Sequence, residues 1–502
     1  MLNETKITNM RSEDIKPELP EQEPIIENKN LSIWEALFPV IILVAMLAYN
    51  IFIFGDASLG GSNQFILLIG AAVAAVVGFR NKVTYKQMME EVGHNVKSTS
   101  GAILILLMVG ALAGTWMISG IIPSMIYYGL QILSPTIFLA ASLVICSIIS
   151  LATGSSWSTS ATVGIALIGI GNSMGINPGM TAGAVISGAY FGDKISPLSD
   201  TTNLASAMAG AGLFDHIKYM LITTVPSMTI ALIAFLIMGF SITSSGSPDI
   251  SDKLAAIDGA FNISPWLFLV PAAVIFLIIK KTEPLIALLA GALLGGVAAI
   301  IAQPDILVKI AGGTTLDFNT AYKGVMQALT SKTAVETTNP EMNDLFTAKG
   351  MEGMMGTIWL ILCAMVFGGV MDAIGALARI SQALLQLFHT TFGLFASTVL
   401  SCLAINVTAS DQYLALVIPG KMYAKAFRDK GLHPVNLSRT LEDTGTVTSV
   451  LVPWNTCGAY NAGVLGVPTV DYFIYAIFNW VSPFVTLTVA ALGIKIKQLR
   501  EK

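Results

Sequence analysis

The chain has 502 residues, of which 54% are hydrophobic and 12% charged, with a net charge of −4. Its mean hydropathy of +0.72 is that of a membrane protein, and so small a net charge gives no reason to expect a nucleic-acid or strongly acidic partner. Four cysteines (Cys146, Cys363, Cys402, Cys457) sit in apolar segments without CxxC spacing, and four histidines (His94, His216, His389, His433) lie near segment ends without ligand spacing. The former are expected as core thiols and the latter as solvated loop side chains, and no cofactor motif is present.

Residues 1–30 are acidic, contain proline and lack an apolar run, the composition of a disordered cytoplasmic tail. Apolar runs of about 16–24 residues then recur, the length needed to cross roughly 30 Å of hydrocarbon. Full crossings are expected at about 32–53, 64–79, 100–119, 178–212 and 217–240, and again at about 265–281, 284–303, 355–377, 436–465 and 471–494. Between the third and fourth crossing of each set lies an apolar pair around a polar tip. The first is Ile137–Ala152, TGSSWSTS and Ala161–Gly171; the second is Phe392–Ile405, NVTASDQ and Tyr413–Tyr423. Limbs this short with Ser, Thr and Asp at the tip point to re-entrant hairpins, which are tolerated at membrane depth only inside protein or along a wet cavity.

The two sets are a repeat. Gly101–Gly164 aligns with Gly356–Gly420 with one gap, pairing Gly114 with Gly369, Gly120 with Gly375 and Trp157 with Tyr413. Upstream, LSIWEALFP (Leu31–Pro39) pairs with ISPWLFLVP (Ile263–Pro271); downstream, GDKISPL (Gly192–Leu198) pairs with GTVTSVL (Gly445–Leu451). Five crossings plus a hairpin is an odd number, so the second repeat enters the membrane upside down. Loop charge gives an independent argument through the positive-inside bias. Arg80, Lys82, Lys86 and Lys97; Lys280–Lys281; Lys421, Lys425, Arg428 and Lys430; and Lys495, Lys497, Arg500 and Lys502 all fall on one side. The expected fold is therefore an all-α polytopic membrane protein of two inverted-topology repeats, 31–240 and 263–494. An external linker at 241–262 joins them, the 304–354 connection is external, and cytoplasmic tails lie at 1–30 and 495–502. The expected location is the cell inner (plasma) membrane, multi-pass, with both termini cytoplasmic. Duplication in so apolar a chain is a signature of secondary transporters, whose site forms where the repeats meet.

The fourth crossing of each repeat is interrupted by polar residues. The first break is GDKISPLSDTTN (Gly192–Asn203), with Asp193, Lys194 and Asp200; the second is LEDTGTVTSVLVPWNTCG (Leu441–Gly458), with Glu442, Asp443 and Asn455. Asp411 stands on the second hairpin tip where the first has Ser155. At about 3 kcal/mol for each charge at a helix centre, five carboxylates cost roughly 15 kcal/mol unless paired, hydrated or bound to a cation. Unwound backbone offers sodium the hard oxygen donors it needs: carbonyls, hydroxyls and a carboxylate. One site is expected from Asp193 and Asp200 with Ser155, Ser156, Thr201, Thr202 and Asn203, and a second from Asp411, Asp443 and Asn455 with Glu442; sodium is expected at Asp193, Asp200 and Asp411. The structural alternative is that Asp193–Lys194 and Arg439–Asp443 are ion pairs holding broken helices together. Trp157 and Tyr413 suit packing better than ligation, and Asp372 and Arg379, seven apart on one helix face, are candidates to pair.

GDKISPLSDTTNLA followed by LEDTGTVTSVLVPWNTCGAYNAGVLGV resembles the NhaC-type sodium/proton antiporter family, within the broader ion transporter superfamily, over residues 31–494. That family includes sodium/proton antiporters and relatives exchanging sodium-lactate for malate and protons. The resemblance implies scaffold segments at 31–133 and 263–391, transport segments at 134–240 and 392–494, an elevator-like movement, and a homodimer. Where the family's second motif usually has Ser-Pro-Leu, this chain has Ser449–Val450–Leu451, so its second break rests on Gly445 and Pro453. The leading expectation is exchange of Na+ for H+ at carboxylates that hold either one. The alternative is a sodium-lactate/malate-proton exchanger in which the tips cradle a small carboxylate; no arginine lies in the breaks or tips to hold one. A channel has no use for duplicated broken helices, and a membrane enzyme would need a nucleophile–base pair or a metal motif such as HExxH.

Overall fold

Long apolar runs become the helices that frame the molecule. The computed structural model describes residues 25–54, 61–242, 250–339, 343, 345–387 and 390–499. The remaining parts of the expected tails (1–24 and 500–502) and linker (243–249), with His389, lie outside the described residues. Among the described residues eight helices are long and apolar enough to cross a membrane: Ile33–Phe54, Ser62–Arg80, Ser100–Ile118, Pro135–Thr153, Leu213–Ser241, Pro284–Ala302, Met351–Ala373 and Thr391–Thr408. A ninth span is counted if Ser251–Ala260 and Pro265–Ile279, bent by 82°, act together.

The same order of elements occurs in both halves. Ser100–Ile118 ends at Gly120, whose φ of 79° turns the chain into the helix Ile121–Ile132. Met355–Ala373 ends at Gly375, φ 76°, before the helix Ala376–Leu387. Only glycine adopts this left-handed conformation without penalty, so the presence of glycine at both of these turns has a conformational cause. Two hairpins follow. The first descends as Pro135–Thr153, turns at Gly154 (φ 69°) and returns as Ser156–Thr159, a π-helical turn Ser160–Gly164 and Ile165–Ser173. The second descends as Thr391–Thr408, turns at Ser410 (φ 60°) and returns as Gln412–Asp429.

Each hairpin is followed by a broken helix. Pro178–Lys194 stops at the Pro197 segment and resumes as Asp200–Ala209. Val435–Leu441 runs into a π-helical turn, Glu442–Thr446, then a 3-10 turn, Ser449–Leu451, and resumes as Thr456–Leu465. With valine instead of proline at 450 no amide is lost. The second interruption is accordingly spread over a widened and a tightened turn before extended Val452 and Pro453 end it.

Glycine sets how closely these elements pack. A Cβ on Gly188 would lie 2.2 Å from the Leu143 carbonyl oxygen, and one on Gly192 2.3 Å from that of Ser147, so the first broken helix lies against the descending hairpin limb backbone to backbone. The halves also pack crosswise. Trp157 of the first hairpin stacks on Tyr460, ring centroids 4.1 Å apart. The Tyr460 hydroxyl donates to the Trp157 carbonyl (3.1 Å) and the Ser160 hydroxyl to Asn461 Oδ1 (2.8 Å). Reciprocally, the second hairpin meets the helix Asp200–Ala209, where a Cβ on Gly420 would come within 2.7 Å of Met208.

Several segments expected as loops are ordered. Loop 80–98 contains the helix Tyr85–Ser98, started by a capping box between Thr84 and Gln87. The basic stretch beginning at Lys421 is largely helix, because Gln412–Asp429 continues through it. The 304–354 connection holds the helices Pro304–Ala311 and Phe318–Thr330 and a two-stranded antiparallel sheet pairing Thr333–Ala334 with Thr347–Ala348. Residues 25–30, expected within a disordered tail, are seated on the turn before the helix Ala376–Leu387: Asn28 and Ile26 occupy the space a Cβ on Gly375 would need, and the next residue, Leu31, accepts from Arg379 Nε (3.0 Å). All four cysteines are buried and free. His216 is not a loop residue. It is fully buried in Leu213–Ser241, with Nδ1 2.7 Å from the Ser438 hydroxyl, because the helix begins three residues before it.

Candidate functional site

The first hairpin tip is held by the first break. Ser155 caps the short helix Ser156–Thr159 by accepting from the Ser158 amide (3.1 Å), which aims the first helical residue, Ser156, at Asp193. Asp193 Oδ2 accepts from the Ser156 hydroxyl (2.7 Å) and amide (3.2 Å) and is 7% exposed. Asp193 lies at the C-terminal end of its half-helix, the negative end of the dipole, where a carboxylate is disfavoured and a cation favoured. Among the described residues no basic side chain forms an ion pair with it. Across the break, Asp200 opens the next half-helix, whose N-terminal dipole stabilises its negative charge. The Thr202 hydroxyl donates to the Lys194 carbonyl (3.0 Å) and the Thr201 hydroxyl lies 3.1 Å from Ser199. Asn203 spends its amide hydrogens on the Pro197 and Ser199 carbonyls (3.1 and 2.7 Å). Thr202 and Asn203 thus shape the break from within.

The second tip and second break are joined by asparagines. Asp411 caps Gln412–Asp429, accepting from the Tyr413 and Leu414 amides (2.8 and 3.1 Å), and is 6% exposed. The Thr456 amide donates to the Ser410 carbonyl (2.9 Å). Asn455 caps Thr456–Leu465 through the Cys457 amide (3.0 Å) and donates to the Asn406 carbonyl (3.1 Å). Asn406 in turn donates to the Gly445 carbonyl (2.8 Å) and the Thr448 hydroxyl (3.0 Å). Asn406 is a site-building residue the sequence reading passed over; an asparagine one step beyond an apolar limb was the available signal.

Behind the breaks lies a fully buried charged cluster. Lys194 pairs with Asp443, not with its neighbour Asp193, and the Thr486 hydroxyl donates to the other Asp443 oxygen. Arg439 Nε is 4.0 Å from Asp443, and its guanidinium stacks over Tyr219 at 4.7 Å. Glu442 is fully buried and neither of its oxygens accepts a well-formed hydrogen bond. Of the expected second group, then, Asp411 and Asn455 come together at the second tip, while Glu442 and Asp443 lie in this cluster. Arg379, a candidate partner for Asp372, donates through Nε to the Leu31 carbonyl.

A cavity of about 550 Å³ reaches the first break. Ser155, Asp200, Thr201 and Asn203 line it with Gln412 and Tyr413 of the second tip, so both hairpins border one space; Ser98, Gly101, Lys281 and Glu283 line it too. Among the described residues no three His, Cys, Asp or Glu side chains converge as a metal-binding group. A cation bound here would take most of its ligands from hydroxyls and carbonyls.

A family model described as "Na+/H+ antiporter family" matches residues 188–494, which include both breaks and the second hairpin, and one described as "C4-dicarboxylate anaerobic carrier" matches 3–240. The chain is 37% identical to the Na(+)/H(+) antiporter NhaC of Alkalihalophilus pseudofirmus, covering 86% of this chain and 90% of the relative. It is 33% identical to NhaC of Bacillus subtilis (84% and 89%) and 35% identical to the malate-2H(+)/Na(+)-lactate antiporter of that organism (92% and 93%). With near full-length similarity and the motif-bearing half inside the matched region, this chain belongs to the NhaC-type Na+/H+ antiporter family.

Proposed function

We propose that this protein is a secondary transporter that exports Na+ in exchange for H+ by alternating access. The observation that carries this reading is Asp193: a buried carboxylate at the negative end of a half-helix, held by Ser156 and, among the described residues, in no ion pair with a basic side chain. Such a group needs a positive charge, and Na+ and H+ are the two that can exchange on it. Asp200 marks the entrance from the cavity, and Asp411 supplies the matching carboxylate at the second tip. Exchange is obligatory because one carboxylate cannot hold both ions. The cavity's charged lining is Asp200, Glu283 and Lys281, an acidic balance that suits a cation better than the organic dianion of the alternative reading.

In reconstituted vesicles, sodium alone is expected to drive proton movement, read with a pH dye, without lactate or malate. Apparent Na+ affinity should weaken as pH falls, by up to about tenfold per unit where protons compete one for one. Strict dependence on lactate or malate would transfer the site to an organic anion, and a pH-independent affinity would rule out the shared carboxylate.

The repeats are proposed to be inverted, with scaffold segments 31–133 and 263–391 and transport segments 134–240 and 392–494 moving past each other in each subunit of a homodimer, both termini cytoplasmic. Cysteines placed singly at Ser134 and Lys421, the bases of the two hairpins, test the inversion in a cysteine-free protein. An impermeant thiol reagent should label position 134 in intact cells and position 421 only after permeabilisation. Labelling of both from one side would make the halves parallel.

A further inference from the structure

Asp193 and Lys194 are adjacent in sequence, yet their side chains serve different partners. Consecutive helical residues point about 100° apart. Asp193 turns to Ser156 at the hairpin tip, while Lys194 turns inward to Asp443, over the Phe478 ring at 5.6 Å. Asp443 is itself fixed from the other side by the Thr486 hydroxyl and lies 4.0 Å from Arg439. Lys194 is fully buried, so its ammonium is costly unless a carboxylate faces it.

We propose that Asp443 is a positioning residue that holds the Lys194 ammonium away from Asp193 and so keeps that carboxylate available to the transported cation. This deepens the antiporter reading and rests on Asp193 as the cation site. Without Asp443 the ammonium needs another carboxylate. Asp193, one residue away, and Glu442, in the same cluster, are the candidates. An ammonium seated on Asp193 is a tethered competitor for sodium: it raises the Na+ requirement without touching the pathway. Arg439 gives the arrangement a useful asymmetry. If Lys194 is removed, Asp443 still has a cation beside it, so the cluster tolerates loss of the lysine better than loss of the aspartate.

The test compares sodium-driven proton exchange in vesicles for Asp443→Asn, Lys194→Met and the double variant. Asp443→Asn should raise the KM for Na+ at least tenfold. Lys194→Met should keep a KM within about twofold of the native protein, and the double variant should return to that value. A double variant as impaired as Asp443→Asn would make Asp443 a ligand in its own right and overturn the proposal. So would an unchanged KM in Asp443→Asn, since the freed ammonium would then have gone to Glu442. If Asp443→Asn does not fold, the comparison of Lys194→Met with the double variant still decides: with no ammonium to restrain, Asp443 should be dispensable, and a tenfold loss would refute that. Asp193→Asn run in parallel keeps the two claims separate, because normal exchange by that variant overturns the cation site itself and not the role of Asp443.

Discussion

Asp193→Asn is expected to eliminate sodium-dependent proton exchange while leaving the protein folded. The amide keeps the size of the carboxylate and can still accept from the Ser156 hydroxyl and amide, which lie 2.7 and 3.2 Å from Oδ2; what disappears is the charge. A carboxylate–cation contact at about 3 Å in an effective dielectric of about 20 is worth roughly 5 kcal/mol before desolvation. Losing even half of that weakens binding about a hundredfold. Asp200→Asn should be milder, about tenfold or less, because Asp200 faces the open cavity, where water screens it. Vesicle flux at fixed pH over a range of Na+ concentrations measures both. Unimpaired exchange by Asp193→Asn would end the present assignment.

Gly192→Val is expected to remove folded protein altogether. The new Cβ would stand 2.3 Å from the Ser147 carbonyl oxygen and 2.6 Å from the Leu151 amide nitrogen, both backbone atoms of the descending hairpin limb. Backbone cannot step aside as a side-chain end can, so the limb and the broken helix must separate, and Asp193 would leave Ser156 with them. Gly93→Ala is the control: its Cβ meets nothing within 4 Å on an exposed helix, and the substitution should be neutral or slightly stabilising. Monodispersity after detergent extraction separates the two. A well-folded Gly192→Val would mean that this contact is looser than drawn.

The sequence announced most of the long apolar helices and both breaks because each has a local cause, apolar length in one case and Pro197 in a helix in the other. The limbs Pro135–Thr153 and Thr391–Thr408, expected to be too short to cross, are long and apolar enough to do so, and the interrupted crossings at 178–212 and 436–465 are not continuous helices. The sequence also carried Thr84 and Gln87, a capping-box spacing that marks Tyr85–Ser98 as helix and that charge counting alone passed over. The charged cluster was less legible. Lys194 and Asp193 sit side by side in the chain, and adjacency suggested a pair, but helical geometry turns neighbouring side chains apart and the real partner is Asp443. Thr486 carries no sequence signal of its own role, since it matters only through what folding places beside it. His216 reads as a solvated loop residue from its place near a segment end, yet it is buried and bonded to Ser438 from the other half.

The Lys194–Asp443 pair also bears on how the protein is made. The two residues are 249 positions apart, so during synthesis the lysine emerges long before its counter-charge exists. The same is true of the ring that Trp157 stacks on, which belongs to Tyr460. A nascent first half can therefore pack its broken helix against its own hairpin limb, but it has no Asp443 to face Lys194 until the last third of the polypeptide arrives. A chain truncated before Asp443 would lack both the native counter-charge of Lys194 and the ring on which Trp157 stacks.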